Sequence, residues 1–374
     1  MSFRFEILAE DGRARRGRVR TKHGSIETPA FMPVGTLGAV KGVTADELEA
    51  AGAEVMLANL YHLVQRPGIE LIEGFGGIHE FTGWDRPILT DSGGDQVFSL
   101  ARLREIDDSG VVFRSHIDGA LSRFTPEGGV SWQERLGVDI AMVLDECPPW
   151  PAERDVVETA LARTHRWAER AREAWSEGSD TALFGIVQGG VWEDLRHESV
   201  DFLAGLDFPG YAIGGVSVGE PFPERRGVVE WTAPRLPRER PRYLMGVGTP
   251  DDIYHAVSNG VDLFDCVMPA RNARHGVVFS REGTLQIKNR VFRDDQSPID
   301  AECDCPTCRR VSRGFLRHLF KTGEITAKVL ATLHNLRVYL DFMGDLREAI
   351  ASGKTAEFGA KVARYGRRST ATER

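Results

Sequence analysis

Three cysteines fall within six residues, Cys303-x-Cys305-x2-Cys308, and His334 follows after twenty-five intervening residues. Three thiolates and one imidazole form a closed tetrahedral donor set, the composition of a structural zinc site; a catalytic zinc keeps an open position and usually has fewer sulfurs. His318 competes for the fourth place. It lies among Arg309, Arg310, Arg313, Arg317 and Lys321, where a contact to nucleic acid suits it equally well. His334 is preferred because its own segment is otherwise apolar (Val329, Leu330, Leu333, Leu336). Cys147 and Cys266 stand alone at the ends of apolar runs, so the five cysteines do not make the even, dispersed set of a disulfide framework.

A second stretch with chemical content is VDLFDCVMPARNAR, from Val261 to Arg274. An apolar run carries Asp265 to its end, and Arg271 and Arg274 follow. A carboxylate at the end of a buried strand costs desolvation and is usually held there for a purpose. The two arginines suit a substrate that carries phosphates. The other reading of Asp265 is a helix cap.

Composition limits the remaining possibilities. The chain has 374 residues, 41% hydrophobic and 27% charged, with a formal net charge of −8. Such a balance is ordinary for a globular protein, and a polyanionic partner must meet a local basic patch. The segment from Arg309 to Lys321 supplies one. No apolar run approaches the length of a membrane span, and the N-terminus lacks a basic-then-apolar signal pattern, so the expected location is the cytoplasm and no membrane is involved.

The elements that must position these residues repeat. Eight short apolar runs each end in Gly or a polar residue: 29–36, 55–63, 87–94, 140–146, 183–190, 211–220, 242–248 and 263–271. Helical periodicity separates several of them, most clearly from Arg154 to Ser176. This alternation predicts an α/β fold, a (β/α)8 barrel. No Gly-rich dinucleotide fingerprint follows the first run, which argues against an open doubly wound sheet. Residues 1–22 read as an antiparallel strand pair covering the bottom of the barrel, 23–284 as the barrel and 285–345 as a zinc-binding subdomain. In the last of these, Leu285 to Phe292 reads as a strand, followed by a basic helix and a second helix. Residues 346–374 read as a helix returning to the barrel with a frayed tail. The barrel reading brings Asp91 with Ser92, Asp145 with Glu146, Gln188, Gly214 with Gly215, Met245 to Gly248, and Asp265 to one mouth. Acids, an amide and glycines around one cavity suit a small, flat, hydrogen-bonding molecule.

The segments TDSGGDQVFSL, SHIDG with FTPE, VLDECPP, GIVQGG, YAIGGVSVGE, YLMGVGTPDDI, FDCVMPARNARHG and C-x-C-x2-C…H, in that order, closely resemble bacterial tRNA-guanine transglycosylases, the queuine tRNA-ribosyltransferases. The likeness runs from about Pro29 to beyond His334. It implies exchange of the wobble guanine of tRNAs with GUN anticodons for 7-aminomethyl-7-deazaguanine, in queuosine biosynthesis, through a covalent ribosyl-enzyme intermediate. By this resemblance Asp265 is the nucleophile and Asp91 the general acid and base. Asp145, Gln188, the N–H of Gly215 and the backbone of Val216 would read the base, and Met245 would lie against its face. Cys147 and Val218 match the bacterial pocket; the eukaryotic type has a smaller residue at the position of Val218. Arg271 and Arg274 would hold phosphates of the anticodon loop. One structural zinc and a homodimer, with the zinc subdomain near the contact, are also implied.

The sequence departs from the family at Asp95, the fifth position of DSGG-x-Q, where relatives carry Phe or Tyr stacked on the base. Aspartate supplies no stacking platform and adds like charge beside Asp91, so weaker base affinity is expected. Smaller departures are Ala270 for Thr, His275 for Asn and Val216 for Leu. Two alternatives stand beside the enzyme reading: a non-catalytic tRNA-binding subunit of a transglycosylase, and a relative that inserts a deazaguanine into DNA.

Overall fold

The computed structural model describes residues 3–94, 104–115, 117, 119–281 and 283–365, so Asp95 lies outside the described residues. Three antiparallel strands come first: β1 (Arg4–Asp11), β2 (Ala14–Thr21) and β3 (Gly24–Thr28). The expected strand pair is therefore extended by a third strand. Arg15 of β2 fixes this sheet to the bottom of the barrel. Its guanidinium is buried and pairs with Asp262 through two hydrogen bonds of 2.9 and 2.5 Å, while the carbonyls of Arg238 and Arg240 take its other N–H groups. A buried ion pair is tolerable when its remaining donors are satisfied in this way.

Eight parallel strands then form one ring. They are β4 (Ala30–Met32), β5 (Met56–Ala58), β6 (Ile88–Thr90), β10 (Ile140–Met142), β11 (Ala182–Val187), β12 (Gly210–Ile213), β13 (Arg242–Leu244) and β14 (Leu263–Asp265), in the spatial order β4-β14-β13-β12-β11-β10-β6-β5. Each falls on one of the eight apolar runs. A bridge between Val34 and Leu57 joins the chain beyond β4 to β5 and brings the ends of the sheet together. Ring strands are buried on both faces by helices outside and side chains inside, which is why they read as unbroken apolar runs.

Local signals fix the flanking helices. Thr125 and Thr249 each precede a proline and accept a backbone N–H, from Gly128 at 3.0 Å and from Asp252 at 3.1 Å, which starts the helices Pro126–Leu136 and Pro250–Ser258. Between β6 and β10 the chain inserts a small antiparallel sheet, β7 (Arg104–Asp107), β8 (Gly110–Arg114) and β9 (Leu121–Phe124), which the eight-run pattern passed over.

After β14 the expectations need correction in two places. Leu285–Phe292 is not one strand. β15 (Val277–Ser280) and β16 (Gly283–Gln286) make a hairpin, and Arg290–Phe292 is a 3-10 turn. The basic segment is two helices, Pro306–Arg310 and Arg313–Thr322, because the Ser312 hydroxyl takes the N–H of Phe315 and starts a new one. A second apolar core forms here around Val278, Leu285, Ile287, Phe292 and Leu316. The helix Ile325–Ala351 contributes Ala327 and Ala331 to that core, and Leu336, Tyr339, Phe342 and Leu346 to the barrel core. Among the described residues, no helix is long and apolar enough to cross a membrane.

Candidate active site

Six consecutive ring strands deliver sequence-derived residues to their C-terminal ends. Asp265 closes β14, Met245 follows β13, Gly215 and Val216 follow β12, Gln188 follows β11, Asp145 follows β10 and Asp91 follows β6. The parallel direction of the strands carries all seven residues to one mouth.

Asp265 Oδ1 accepts two hydrogen bonds, from the Tyr243 hydroxyl at 2.6 Å and from the Gly246 N–H at 2.8 Å. The helix Met268–Arg274 has Val267, not Asp265, at its N-cap, so the capping alternative fails. Tyr243 is fully buried. Burial raises its pKa well above the ordinary value, with the charge of Asp265, their hydrogen bond and the charge of Asp91 adding to it, so the phenol remains a donor. Burial likewise pushes the thiol of Cys266, beside Asp265, up to about 11, so it stays protonated at neutral pH.

Asp91 is 8% exposed. Its Oδ1 accepts the backbone N–H of Leu60 at 3.0 Å, and its Oδ2 accepts the Asn59 amide. Both partners begin the helix Leu60–Gln65 after β5, so the carboxylate lies at a helix N-terminus, where the dipole favours negative charge. Tyr243 and Asn59 are groups that sequence reasoning did not single out, whereas Gly246 falls in the Met245 to Gly248 stretch expected at the mouth. Tyr243 could have been found: it lies two residues before Met245 and shares its side of the strand.

Asp145 accepts from the Ser92 hydroxyl at 2.9 Å and from Gln188 Nε2 at 2.7 Å. The Gln188 amide thus rests on Asp145 rather than pointing at a base. A Cβ on Gly215 would lie 2.3 Å from Gln188 Oε1, and Gly215 has φ +65, so glycine is required twice over. Beyond it Glu220 accepts the N–H groups of Ser217 at 2.6 Å and Val218 at 2.9 Å. A cavity of about 20 Å³ is lined by Pro148, Trp150, Gln188, Gly215, Val218 and Glu220. Val216 is buried, while Met245 and Cys147 are half-buried. Glu146 turns away from the mouth and pairs with Arg163.

Arg271 is exposed and Arg274 half-buried on the helix Met268–Arg274, close enough that burial and the charge of Arg271 together lower the pKa of Arg274. Among the described residues neither arginine has an ion-pair partner, and two neighbouring cations of this kind are suited to phosphates.

Cys303, Cys305, Cys308 and His334 converge and could hold a metal ion. His334 Nδ1 lies 3.5 Å from Cys305 Sγ and 3.2 Å from Cys308 Sγ. Metal bonds of about 2.3 Å to sulfur and 2.0 Å to nitrogen imply tetrahedral N···S edges of roughly 3.5 Å. The other ring nitrogen, Nε2, donates to the Phe279 carbonyl at 2.6 Å, which leaves Nδ1 as the ligand atom. His318 is exposed and stacks on Phe315, away from the cluster. A second grouping, His23, His79 and Asp139, lies at the bottom of the barrel. There the Asp139 oxygens already accept both imidazoles and the N–H groups of His23 and Ile88, so hydrogen bonding accounts for it.

Comparison with known proteins is consistent along the whole chain. A family model described as Queuine tRNA-ribosyltransferase matches residues 10–367. A Queuine tRNA-ribosyltransferase of Desulforudis audaxviator is 53% identical over 95% of this chain and 96% of its own length. One of Thioalkalivibrio sulfidiphilus is 52% identical over 98% of both chains. Another, of Desulforapulum autotrophicum, is 54% identical over 95% of this chain and 96% of its own.

Proposed function

The chain belongs to the queuine tRNA-ribosyltransferase family and is a tRNA-guanine transglycosylase of queuosine biosynthesis, a pentosyltransferase, and we propose that it works by double displacement on Asp265. The Asp265 carboxylate attacks C1′ of the wobble nucleotide and forms a ribosyl ester. The C1′–N9 bond breaks, and guanine departs with the bonding pair and a proton from Asp91. Asp91 then takes the N9 proton of the incoming base, which attacks C1′ and releases Asp265. Two inversions at one carbon give retention. What supports this reading most is a pair of carboxylates at the C-terminal ends of β14 and β6, both close enough for Tyr243 to feel their charge.

Asp145 is proposed to take the N–H edge of the base, with Gln188 and the Gly215 N–H on its carbonyl oxygen and Met245 on its face. In this role Gln188 Nε2 must leave Asp145, so base entry exchanges one hydrogen bond for another. Val216 would contribute its backbone. Cys147 and Val218 bound the space beyond the ring, which favours 7-aminomethyl-7-deazaguanine over a bulkier base. Arg271 and Arg274 hold anticodon-loop phosphates, and the metal ion is zinc, with a structural role in the subdomain 285–345. The zinc would set the relative positions of the hairpin and the basic helices. We further propose a cytoplasmic homodimer with the subdomain near the contact, supported by Phe315, which is 50% exposed and stacked on His318.

Labelled guanine offered with unmodified tyrosine tRNA tests the reading. Incorporation by the native chain and none by Asp265→Ala is the expected result. A folded, tRNA-binding native chain that incorporates nothing would favour the non-catalytic subunit instead.

A further inference from the structure

Arg196 lies on the helix Glu193–Gly205 within LRHES, a stretch that reads as a solvated helix face, yet it is 0% exposed. Its guanidinium is spent on main-chain carbonyls. Nε donates to Gly190 at 2.8 Å, Nη1 to Gly214 at 2.7 Å and to Val187 at 3.1 Å, and Nη2 to Gly215 at 3.2 Å. Val187 ends β11 and Gly190 lies in the loop after it, which carries Gln188; Gly214 and Gly215 lie in the loop after β12, which also carries Val216. Burial lowers the Arg196 pKa to about 10, which the charges of Cys147 and Glu220 oppose, so the group is still a cation at neutral pH. A buried cation is costly unless it is solvated by the protein, so its presence here asks for a reason.

The reason lies in peptide geometry. In a trans peptide the N–H points opposite to the C=O. The peptide joining Gly214 to Gly215 directs its carbonyl at Arg196 Nη1, so the Gly215 N–H faces away from the arginine. The next peptide directs the Gly215 carbonyl at Nη2, and the Val216 N–H faces away likewise. Neither N–H has a main-chain or side-chain acceptor among the described residues. With φ +65 Gly215 is conformationally free, and a loop of this kind needs an external tie to hold one peptide orientation.

Resting on the transglycosylase reading, we propose that Arg196 is a positioning residue for base recognition: it pins the Gly214 and Gly215 carbonyls so that the N–H groups of Gly215 and Val216 stand as preset donors for the carbonyl oxygen of the purine. The same guanidinium, by holding Val187 and Gly190, keeps Gln188 beside them. Preset donors lose no reorganisation energy when charge collects on that oxygen as guanine departs.

The test compares two bases in Arg196→Lys and Arg196→Met. Guanine presents the carbonyl oxygen; 2-aminopurine keeps the amino group and lacks that oxygen together with the N1 proton, so each variant is compared with the native chain on the same base. Labelled guanine exchange into tRNA gives KM and kcat, and competition gives the 2-aminopurine inhibition constant. The expected result is a rise of roughly tenfold to a hundredfold in guanine KM, with 2-aminopurine inhibition unchanged and tRNA KM unchanged. Equal weakening of both bases, or no change in either, would overturn the proposal, since a general loosening of the barrel has no means of telling them apart. Arg196→Lys keeps the charge and most of the volume, so it carries the comparison even where Arg196→Met does not fold. A native chain that neither binds nor exchanges guanine would remove the transglycosylase reading and this inference together; a native chain that exchanges guanine isolates the Arg196 claim.

Discussion

Tyr243 and Asp265 come from neighbouring ring strands and meet by register. Tyr243 pairs with Leu263, and Asp265, two residues further on, projects to the same side, so the phenol donates to Oδ1 over 2.6 Å. Both side chains are set by strands rather than by loops, which holds the carboxylate at a fixed angle to whatever enters the mouth.

Replacing Tyr243 by Phe removes one donor to a charged acceptor and little else. A hydrogen bond to a charged group contributes about 1.5–3 kcal/mol, so kcat for guanine exchange should fall about tenfold to a hundredfold. The melting temperature and the tRNA KM should hardly move. Single-turnover exchange measured beside a thermal melt separates the two effects; an unchanged single-turnover rate would mean that the phenol is only structural.

By the family resemblance of the DSGG-x-Q segment, an aromatic ring is expected at the position that Asp95 occupies. Stacking a base on such a ring contributes about 1–3 kcal/mol, so Asp95→Phe should tighten guanine binding about fivefold to a hundredfold. Guanine affinity of the variant and the native chain, measured side by side, checks this. No gain would show that the native chain meets the base face by other means.

Loss of the metal should act first on the second core. Stripping the protein with a chelator, or making Cys308→Ser, is expected to lower the melting temperature and weaken tRNA binding, because the hairpin and the basic helices are then held only by Phe292, Leu316 and their neighbours. Base binding within the ring should survive. Metal analysis should give about one zinc per native chain and little in the variant. A variant as stable and as avid for tRNA as the native chain would exclude a structural ion.

Acid should loosen the ring near Gln188. His165 is buried, stacked on Phe202 at 4.2 Å, and its Nε2 lies 3.2 Å from Ser199 Oγ, the oxygen that also accepts the Gln188 N–H. Burial lowers its pKa from 6.5 to about 4. The folded protein therefore refuses a proton that the unfolded chain accepts. Stability present above pH 6.5 is lost as pH falls towards 4, by up to about 3 kcal/mol. Urea unfolding of the native chain and His165→Gln at pH 7 and pH 4.5 should show a shallower pH dependence in the variant; parallel slopes would assign the acid sensitivity elsewhere.

The eight ring strands were legible because each is buried on both faces and ends in a glycine or a polar group. The Cys303, Cys305, Cys308 and His334 set was legible because its donor types and spacing leave few other uses. Arg196 was not, because a helix sequence of charged residues does not declare which of them turns inward and which faces water. Nor was the β7–β9 sheet, whose short strands, REID, GVVFR and LSRF, mix charge with apolar residues and give no long run. Glu146 shows the same limit at one residue's distance: it adjoins Asp145 in sequence but projects to the opposite side, onto Arg163.

Ala30 of β4 lies beside Leu263 of β14, so that side of the first ring strand made by the ribosome is covered only when nearly the whole ring has been synthesised. Until then both edges of the growing sheet stay open, and open edges invite pairing between chains. Asp91 is translated early and Asp265 late, so no product that stops before β14 can hold both carboxylates. Nascent chains that stall before β14 are therefore expected to be inert and prone to associate, and cells making this enzyme would depend on chaperones most during the interval between its two carboxylates.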